Sequence, residues 1–436
     1  MSFDPHRKVH LSDCAAFQEG YVNPSQHDPS YFGSDVKWLR ATDLNDGFVL
    51  ETSRKLSTKG FESAGKSATL FAPGTLAISK SGTIGRIGIL KDYMCGNRAV
   101  INIKPHDSCD TRFIFYTLLF NRKKIELLAE GSVQKNLYVS ALGRLQIRLP
   151  SLCEQRNIGA VLGALDNRIA HLRETNATLE AIAQRMFKSW FVDFDPVRAK
   201  QDGRVPDGLD EETAALFPSS FDESSLGFVP SGWRVGSVSS FAKQKKGSVS
   251  PLDSPETLFE HYSLPAFDSE QAPVMEAGSE IKSNKTPLPL EPVLLSKLNP
   301  HIPRVWLPGK PGNNAVCSTE FLAFGPCDGG SKEFIYCFFS SPSFLQRLCQ
   351  VVTGTSNSHQ RVKPDQVSTF PCVVPPLAIL EGFTAAVRPI FARVNQNRAH
   401  AQTLAAVRDA LLPRLISGQL RVPSVIEERL ELLTGT

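Results

Sequence analysis

The most regular feature of the chain is a stripe of mostly apolar or small side chains that recurs at alternating steps of four and three residues. It occurs in two segments. The first stripe is Ile158, Leu162, Leu165, Ile169, Leu172, Asn176, Leu179, Ala183, Met186 and Trp190, and the second is Phe383, Val387, Ile390, Val394, Asn397, Ala401, Leu404, Arg408, Leu411 and Leu415. This spacing is typical of a coiled coil. It predicts two helices, each roughly 50 Å long.

The two segments are copies of one another at an offset of 225 residues. Leu149–Leu152 (LPSL) corresponds to 374–377 (VPPL), and the apolar positions then match without a gap for about 40 residues. Each copy follows a mixed segment of more than 100 residues. The chain therefore predicts an internal repeat in the order globule, helix, globule, helix.

Strand and helix patterns predict an α+β fold in both globules. In the first, strands are expected at 74–81, 84–90 and 99–103 and a helix at 112–129; in the second, strands at 292–297, 304–307 and 320–324 and a helix at 333–349. The expected domains are 1–150 and 200–375 (with a linker at 200–226), the spacer helices 151–199 and 376–420, and a tail at 421–436.

The pattern leaves the arrangement of the helices open. They could be core helices of one large domain, or a stalk that dimerises with a second chain. Duplicated stripes favour the two helices packing on each other, but parallel and antiparallel pairing are both allowed. Asn176 and Asn397 lie on the stripes, where a polar residue can fix the register.

Composition narrows the class of protein. A length of 436 residues with 41% hydrophobic residues fits two or three globular domains. No apolar run reaches about 18 residues, so no membrane partner is expected. Nine cysteines without a C-x-x-C pair predict reduced thiols in the cytoplasm and no zinc site.

Charge is unevenly distributed along the chain. Residues 1–150 hold 20 basic and 14 acidic side chains, whereas residues 200–375 hold 15 and 19, within a net charge of +4. Any anion-binding surface must therefore be local. The basic residues of the second globule, including Lys297, Arg304, Arg361 and Lys363, are expected to cluster on one face.

One segment matches the phosphate-binding loop pattern G-x-x-x-x-G-K-[ST]. Gly60–Ser67 fits it letter for letter, but the preceding residues are not a buried strand, and Pro73 interrupts any following helix. The segment is interpreted as a flexible basic loop. Other catalytic, dinucleotide and metal-binding motifs are missing, so no catalytic residue, cofactor or metal is expected.

Polar and basic loops follow the predicted strands and precede the helix entries of both copies. Gln and Asn can bind adenine, and Arg and Lys can bind guanine or phosphate. One such loop would be an ordinary turn, but two equivalently placed loops favour function. The candidate DNA-binding residues are Lys80, Ser81, Thr83, Arg86, Gln134, Lys135, Asn136, Lys297, Arg304, Ser358, His359, Gln360 and Arg361.

Several phrases resemble the DNA specificity subunit of type I restriction-modification systems. Leu149–Arg156 (LPSLCEQR) is similar to the family's entry into its long helix, and 187–194 (FKSWFVDF) to the exit. Gly227–Trp233 and Asp35–Asp43 resemble parts of a target-recognition domain. The second helix departs from the family because its entry, 375–381 (PPLAILE), lacks Glu-Gln.

The resemblance implies a non-catalytic subunit with two target-recognition domains, each reading one half of an asymmetric bipartite site in double-stranded DNA. It implies that the two helices form an antiparallel coiled coil with pseudo-twofold symmetry, set the spacer and dock two methyltransferase subunits, which restriction subunits join. The complex would methylate adenine and cleave DNA. S-adenosylmethionine, ATP and Mg would belong to the partners.

Two other classes remain open. A coiled-coil scaffold or adaptor without a DNA role would share the helices, and salt-sensitive DNA binding would separate it from a DNA-reading subunit. A fused methyltransferase–recognition enzyme is disfavoured by the missing catalytic motif.

Overall fold

The computed structural model describes residues 7–131, 135–353 and 360–422. The chain divides into two compact units: the first is Met1–His171 with Ala401–Thr436, and the second is Leu172–His400. Each long helix contributes residues to both units.

The first unit begins with a mixed domain. Its elements are β1 Lys8–His10, β2 Ala15–Glu19, β3 Phe32–Leu39, β4 Gly47–Val49, β5 Lys55–Leu56, α1 Thr58–Glu62, β6 Leu70–Phe71, β7 Leu76–Ser79, β8 Ile87–Leu90, β9 Met94–Gly96, β10 Val100–Pro105, α2 Thr111–Phe120, α3 Arg122–Leu127, α4 Val139–Gly143 and β11 Gln146–Arg148. Helix α5, Leu152–Phe191, follows.

Two sheets form this domain. One has the strand order β2-β10-β7-β8-β4 and the other β5-β3-β9-β6, while β1 pairs with β11. All side chains of β7 and β8 are buried, which fits their uninterrupted apolar sequences. Helix α2 covers them with Phe113, Ile114 and Leu118.

The second unit contains a domain that repeats the central strands of the first and adds further elements before and between them. Its elements are α6 Asp195–Gln201, α7 Glu211–Ala215, β12 Phe221–Ser224, β13 Gly227–Pro230, β14 Arg234–Ser237, β15 Ala242–Gln244, β16 Leu258–Tyr262, α8 Leu264–Glu270, β17 Val274–Ala277, β18 Thr286–Pro287, β19 Val293–Ser296, β20 Val305–Trp306, β21 Ala315–Cys317, β22 Phe321–Pro326, α9 Lys332–Phe339, α10 Pro342–Gln350, β23 Val352–Thr353, β24 Arg361–Val362, α11 Pro364–Ser368 and β25 Pro371–Val374. Helix α12, Leu377–Ser417, follows.

The two domains share one topology. The sheet β15-β22-β19-β20 matches β2-β10-β7-β8, and β17-β16-β21-β18 matches β5-β3-β9-β6. In both second sheets the central pair is parallel and its outer neighbours antiparallel. The predicted α+β repeat is therefore confirmed.

The long helices pair antiparallel within each unit. In the second unit Asn176 contacts Asn397, and Phe187 contacts Phe383 at a ring distance of 6.0 Å, so the residue numbers run in opposite directions. In the first unit Arg408 donates to Asp166 at 2.7 Å. Every stripe position is buried or half-buried. The predicted antiparallel coiled coil is confirmed.

A buried amide pair interrupts the apolar stripe of the second unit. Nδ2 of Asn397 donates to Oδ1 of Asn176 at 2.8 Å, and Nδ2 of Asn176 donates to the Val394 carbonyl at 3.2 Å. The two residues are 2% and 8% exposed. At the 225-residue offset they correspond to Leu172 and Ala401, so the pair distinguishes the two copies.

The structure corrects several local expectations. The phosphate-loop segment Gly60–Ser67 is not a flexible loop, because α1 and a single 3-10 turn at Gly65–Ser67 cover most of it. The helices predicted at 112–129 and 333–349 are each broken in two, at Asn121 and at Ser340–Ser341. The stretch 200–226, expected as a linker, contains α7 and β12.

No cysteine pair forms a disulfide in the part of the chain that the structure describes, where all nine thiols are free. Burial raises the pKa of Cys95 and Cys372 to about 12, so these thiols stay protonated at neutral pH. Among the described helices, none combines the length and the apolar character that a bilayer crossing needs.

Replacing Asn176 with Ala should lower the free energy of unfolding by about 1–3 kcal/mol, because the buried amide of Asn397 loses its acceptor. Replacing both asparagines with Leu should cost less than the single change, since no polar group is then left unpaired. Denaturant unfolding of the three proteins measures the order. A double variant less stable than Asn176→Ala would contradict this account.

Candidate nucleic-acid interface

Three loops of the first unit meet at one end of the larger sheet, where β7 finishes. The Lys80 amide donates to the Ala99 carbonyl at 2.8 Å, and the Lys80 carbonyl accepts from the Leu137 amide at 2.9 Å. These bonds join the loop 80–86, the loop 97–99 and residues 130–131 and 135–137, which together we call the first edge.

The second unit repeats this frame where β19 finishes. The Lys297 amide donates to the Glu320 carbonyl at 3.0 Å, and the Lys297 carbonyl accepts from the Val362 amide at 3.0 Å. The loops 297–304, 318–320 and 360–363 form the second edge. Arg86 and Arg304 are also equivalent, because their carbonyls accept from the Ser79 and Ser296 amides, each at 2.9 Å.

A buried serine holds the turn at each edge. Ser79 Oγ donates to the Thr83 carbonyl at 2.5 Å and accepts from the Arg86 amide at 2.9 Å. Ser296 Oγ bonds both the amide and the carbonyl of Leu298. In each turn the serine hydroxyl bonds backbone amide and carbonyl groups that have no backbone partner within the turn. Because this serine is the last residue of the preceding strand, the strand fixes the conformation of the turn.

The first edge carries positive charge with little compensation. Lys80 forms an ion pair with Glu19 at 2.8 Å. Arg86 and Lys135 are exposed and form no ion pair within the described residues. The backbone of Asn136 pairs with Glu130, which closes the neck of the loop.

On the second edge carboxylates hold both arginines. Asp268 accepts two hydrogen bonds from Arg304, at 2.6 and 2.8 Å. Glu320 accepts two from Arg361, at 3.2 and 3.1 Å, and these bonds raise the pKa of the Arg361 guanidinium. Lys297 is half-buried and Lys363 is exposed.

The structure brings together most of the predicted site residues that it describes. Ser81 is half-buried, Thr83 is exposed, and the Gln360 carbonyl accepts from the Asn299 amide at 2.8 Å. The backbone of Lys297 bonds that of Val362, which lies between Arg361 and Lys363, whereas the Arg304 side chain is directed to Asp268. The clustering of these basic side chains on one face stays a prediction. Gln134, Ser358 and His359 lie outside the described residues.

Other basic residues at these edges escaped the sequence patterns. Arg98 is exposed and precedes Ala99 on the first edge. In the second unit Lys243 lies within β15, and Lys245 and Lys246 follow it. All three line an open cleft of about 1040 Å³, which Asp365 also borders. The sequence did contain a signal for these residues: Lys245 and Lys246 directly follow a strand, and Arg98 directly precedes the strand predicted at 99–103.

Comparison with known proteins identifies this architecture. Residues 7–181 match the family model described as the type I restriction modification DNA specificity domain. The chain is 26% identical over 419 residues to the type I restriction enzyme MjaIX specificity subunit of Methanocaldococcus jannaschii, covering 92% of this chain and 91% of that one. The HindI specificity subunit of Haemophilus influenzae is 24% identical over 358 residues, covering 71% and 77%.

Along most of its length the chain is similar to type I restriction-modification specificity subunits. The fold agrees: the crystal structure of the type I restriction-modification system S subunit from M. genitalium superposes with a TM-score of 0.57 at 14% identity, covering 95% of this chain and 96% of that one.

The helix entry Leu149–Arg156 (LPSLCEQR) has a structural role here. Gln155 is buried, accepts from the Asp110 amide at 2.9 Å and donates to the Pro150 carbonyl at 2.9 Å. Glu154 pairs with Arg148 at 2.9 Å. At the matching place in the second copy, Leu380 is buried among apolar residues, which explains how that copy dispenses with Glu-Gln.

Replacing Ser79 with Ala should destabilise the first unit by about 1–3 kcal/mol, because the Arg86 amide and the Thr83 carbonyl lose their partner. Hydrogen exchange of the Arg86 amide should accelerate. Thermal unfolding and exchange of the peptide containing residues 80–86 measure both effects. The matched control is Ser81→Ala, at a half-buried position in the same turn; equal effects of the two changes would contradict the role of Ser79.

Proposed function

We propose that this chain is the non-catalytic DNA-reading subunit of a type I restriction-modification complex. Its first and second edges each read one half of an asymmetric, bipartite site in double-stranded DNA. The helices set the spacer between the half-sites and carry two methyltransferase subunits, which restriction subunits join. Those partner subunits, in the cytoplasm, bind S-adenosylmethionine, ATP and Mg.

The observation that carries the proposal is that the two edges share the same backbone hydrogen bonds but present different side chains. Equivalent hydrogen bonds anchor Lys80 and Lys297, yet an exposed Arg86 stands where the other unit has a clamped Arg304. Residues 136 and 361, at the 225-residue offset, are Asn and Arg. Base edges are distinguished by such side chains, so equal frames with unequal side chains suit two different half-sites.

The helices have suitable dimensions for a spacer. A 40-residue helix is about 60 Å long, whereas half-sites one turn of DNA apart are separated by about 34 Å. The buried apolar stripes hold the two helices together, so the pair is stiffer than a flexible tether between the two domains. The small net charge of +4 is compatible with DNA binding because partner subunits can share the phosphate contacts.

The central test is selection from a duplex library with every position randomised, using the full chain together with its methyltransferase subunit. One sequence with two defined half-sites and an undefined spacer should emerge, and its binding should weaken as salt rises. Removing seven residues from each helix should shorten the spacer and leave the half-sites unchanged. Salt-independent binding, or no sequence preference, would favour a scaffold instead.

The proposed docking of two methyltransferase subunits is supported by a repeated apolar surface. Ile182 on α5 and Val407 on α12 are each 43% exposed, and 225 residues separate them. Exposed Ala181 and Ala406 precede them in each copy. Single exposed apolar residues are ordinary, but equivalent ones on both copies suit two molecules of one partner.

Ile182→Asp and Val407→Asp should each remove one methyltransferase subunit from the complex, and the double variant should remove both. A buried charge without a partner opposes docking. Native mass spectrometry counts the subunits. The matched controls are Ala177→Asp and Gln402→Asp, which are exposed and equivalently placed on the same helices. A double variant that still binds two subunits would contradict this docking surface.

A further inference from the structure

The arginines of the two edges differ in how they are held. Arg86 and Arg304 occupy equivalent places, but the Arg304 side chain is only 13% exposed and is gripped by Asp268. Arg86 is exposed and has no ion-pair partner within the described residues. The second edge therefore presents a guanidinium oriented by a carboxylate, where the first presents an exposed arginine that no carboxylate orients within the described residues.

The geometry of the grip leaves part of Arg304 available. Nε donates to Oδ1 of Asp268 at 2.6 Å, and Nη2 donates to Oδ2 at 2.8 Å. A guanidinium has five N–H bonds, and this side-on contact uses two. The hydrogens at the Nη1–Nη2 end remain, and that fork is the one that donates to O6 and N7 of guanine.

Asp268 is itself fixed by the helix that carries it. Ser263 caps the start of α8, where its Oγ accepts from the Ala266 amide at 3.2 Å. Phe267 contacts the buried Trp306 at a ring distance of 5.8 Å. At the other end the Gln271 Oε1 accepts from Arg398 Nη2 at 2.6 Å. The carboxylate is thus attached to a short helix held at both ends.

We propose that Asp268 is a positioning residue that sets the specificity of the second edge, by orienting Arg304 towards a guanine in the half-site that this edge reads. The inference rests on the proposed function. A guanidinium already held in one plane loses less conformational freedom on binding. The carboxylate also offsets the charge of Arg304, so the contact adds selectivity more than sequence-independent attraction to phosphate.

The experiment uses the full chain with its methyltransferase subunit and the randomised duplex library. The variants are Asp268→Asn, Arg304→Ala and the two combined. Each single change should lower the preference for guanine at the same position of one half-site about 10-fold, and the double variant should lose no more than Arg304→Ala alone. The other half-site should be unaffected.

The matched control is Glu270→Gln, on the same helix, which removes the same charge but pairs with Arg173 on α5 instead of an edge residue. It should keep the guanine preference. Salt gives an independent readout: freeing Arg304 in Asp268→Asn should steepen the slope of log affinity against log salt by up to about 0.9. Neither Arg304→Ala nor Glu270→Gln should do so.

Arg304→Lys guards against a folding defect in Asp268→Asn, because lysine keeps the ion pair. A free lysine can bind guanine, but an ammonium held by Asp268 offers no planar fork to O6 and N7. The Arg304→Lys variant should lose the guanine preference with an unchanged melting temperature. The role of Asp268 would be overturned, with the proposed function intact, if the complex still selected a bipartite site and either of two results appeared. One is a guanine preference that Asp268→Asn or Arg304→Lys leaves unchanged. The other is an equal loss of that preference in Glu270→Gln. A wild-type complex that selects no sequence would overturn the proposed function and this proposal with it.

Discussion

The arrangement depends on the way each domain is closed by the pairing of an early strand with its last strand. β1 pairs with β11 through Val9 and Ile147, and β14 pairs with β25 through Val235 and Val373. A long helix begins within four residues of each closing strand. Because proline fixes the backbone of that short connection, the direction of the helix follows from the closure of the domain. This long-range strand pairing thus determines where the coiled-coil stripe begins.

The two copies secure that junction with different chemistry. In the first unit Gln155 accepts from the amide of Asp110, the residue that caps α2, and Gly159 allows the close approach because a Cβ there would lie 2.8 Å from the Asp110 carboxylate. In the second unit the cap of α9 is Ser331, whose hydroxyl bonds that of Thr384 at 2.8 Å. Residues 159 and 384 are 225 apart. The same position of the long helix therefore contacts the cap of the preceding helix in both copies, although the side chains differ.

The sequence predicts the helices and the repeat because their period extends over about 40 residues in each copy. It also locates the loop 80–86 of the first edge, since turn residues follow an apolar strand there, but it does not predict the loops 97–99 and 318–320. It does not predict which arginine is clamped. Asp268 lies 36 residues from Arg304, and Glu19 lies 61 from Lys80, so only the register of the folded sheets brings these partners together. The breaks in the helices predicted at 112–129 and 333–349 were missed because apolar residues resume after each break, at Ile125 and at Phe344.

Charge acquires a different meaning once the ion pairs are known. The first globule is basic and the second mildly acidic, which taken alone suggests that only the first suits DNA. On the second edge, however, Asp268 and Glu320 form ion pairs with Arg304 and Arg361. Acidic residues at such places lower the net charge and at the same time orient donors. Sequence-independent attraction to DNA scales with uncompensated charge, whereas base selection depends on oriented donors. An acidic domain can therefore discriminate between bases while contributing little to general affinity, provided that the other domain supplies the attraction.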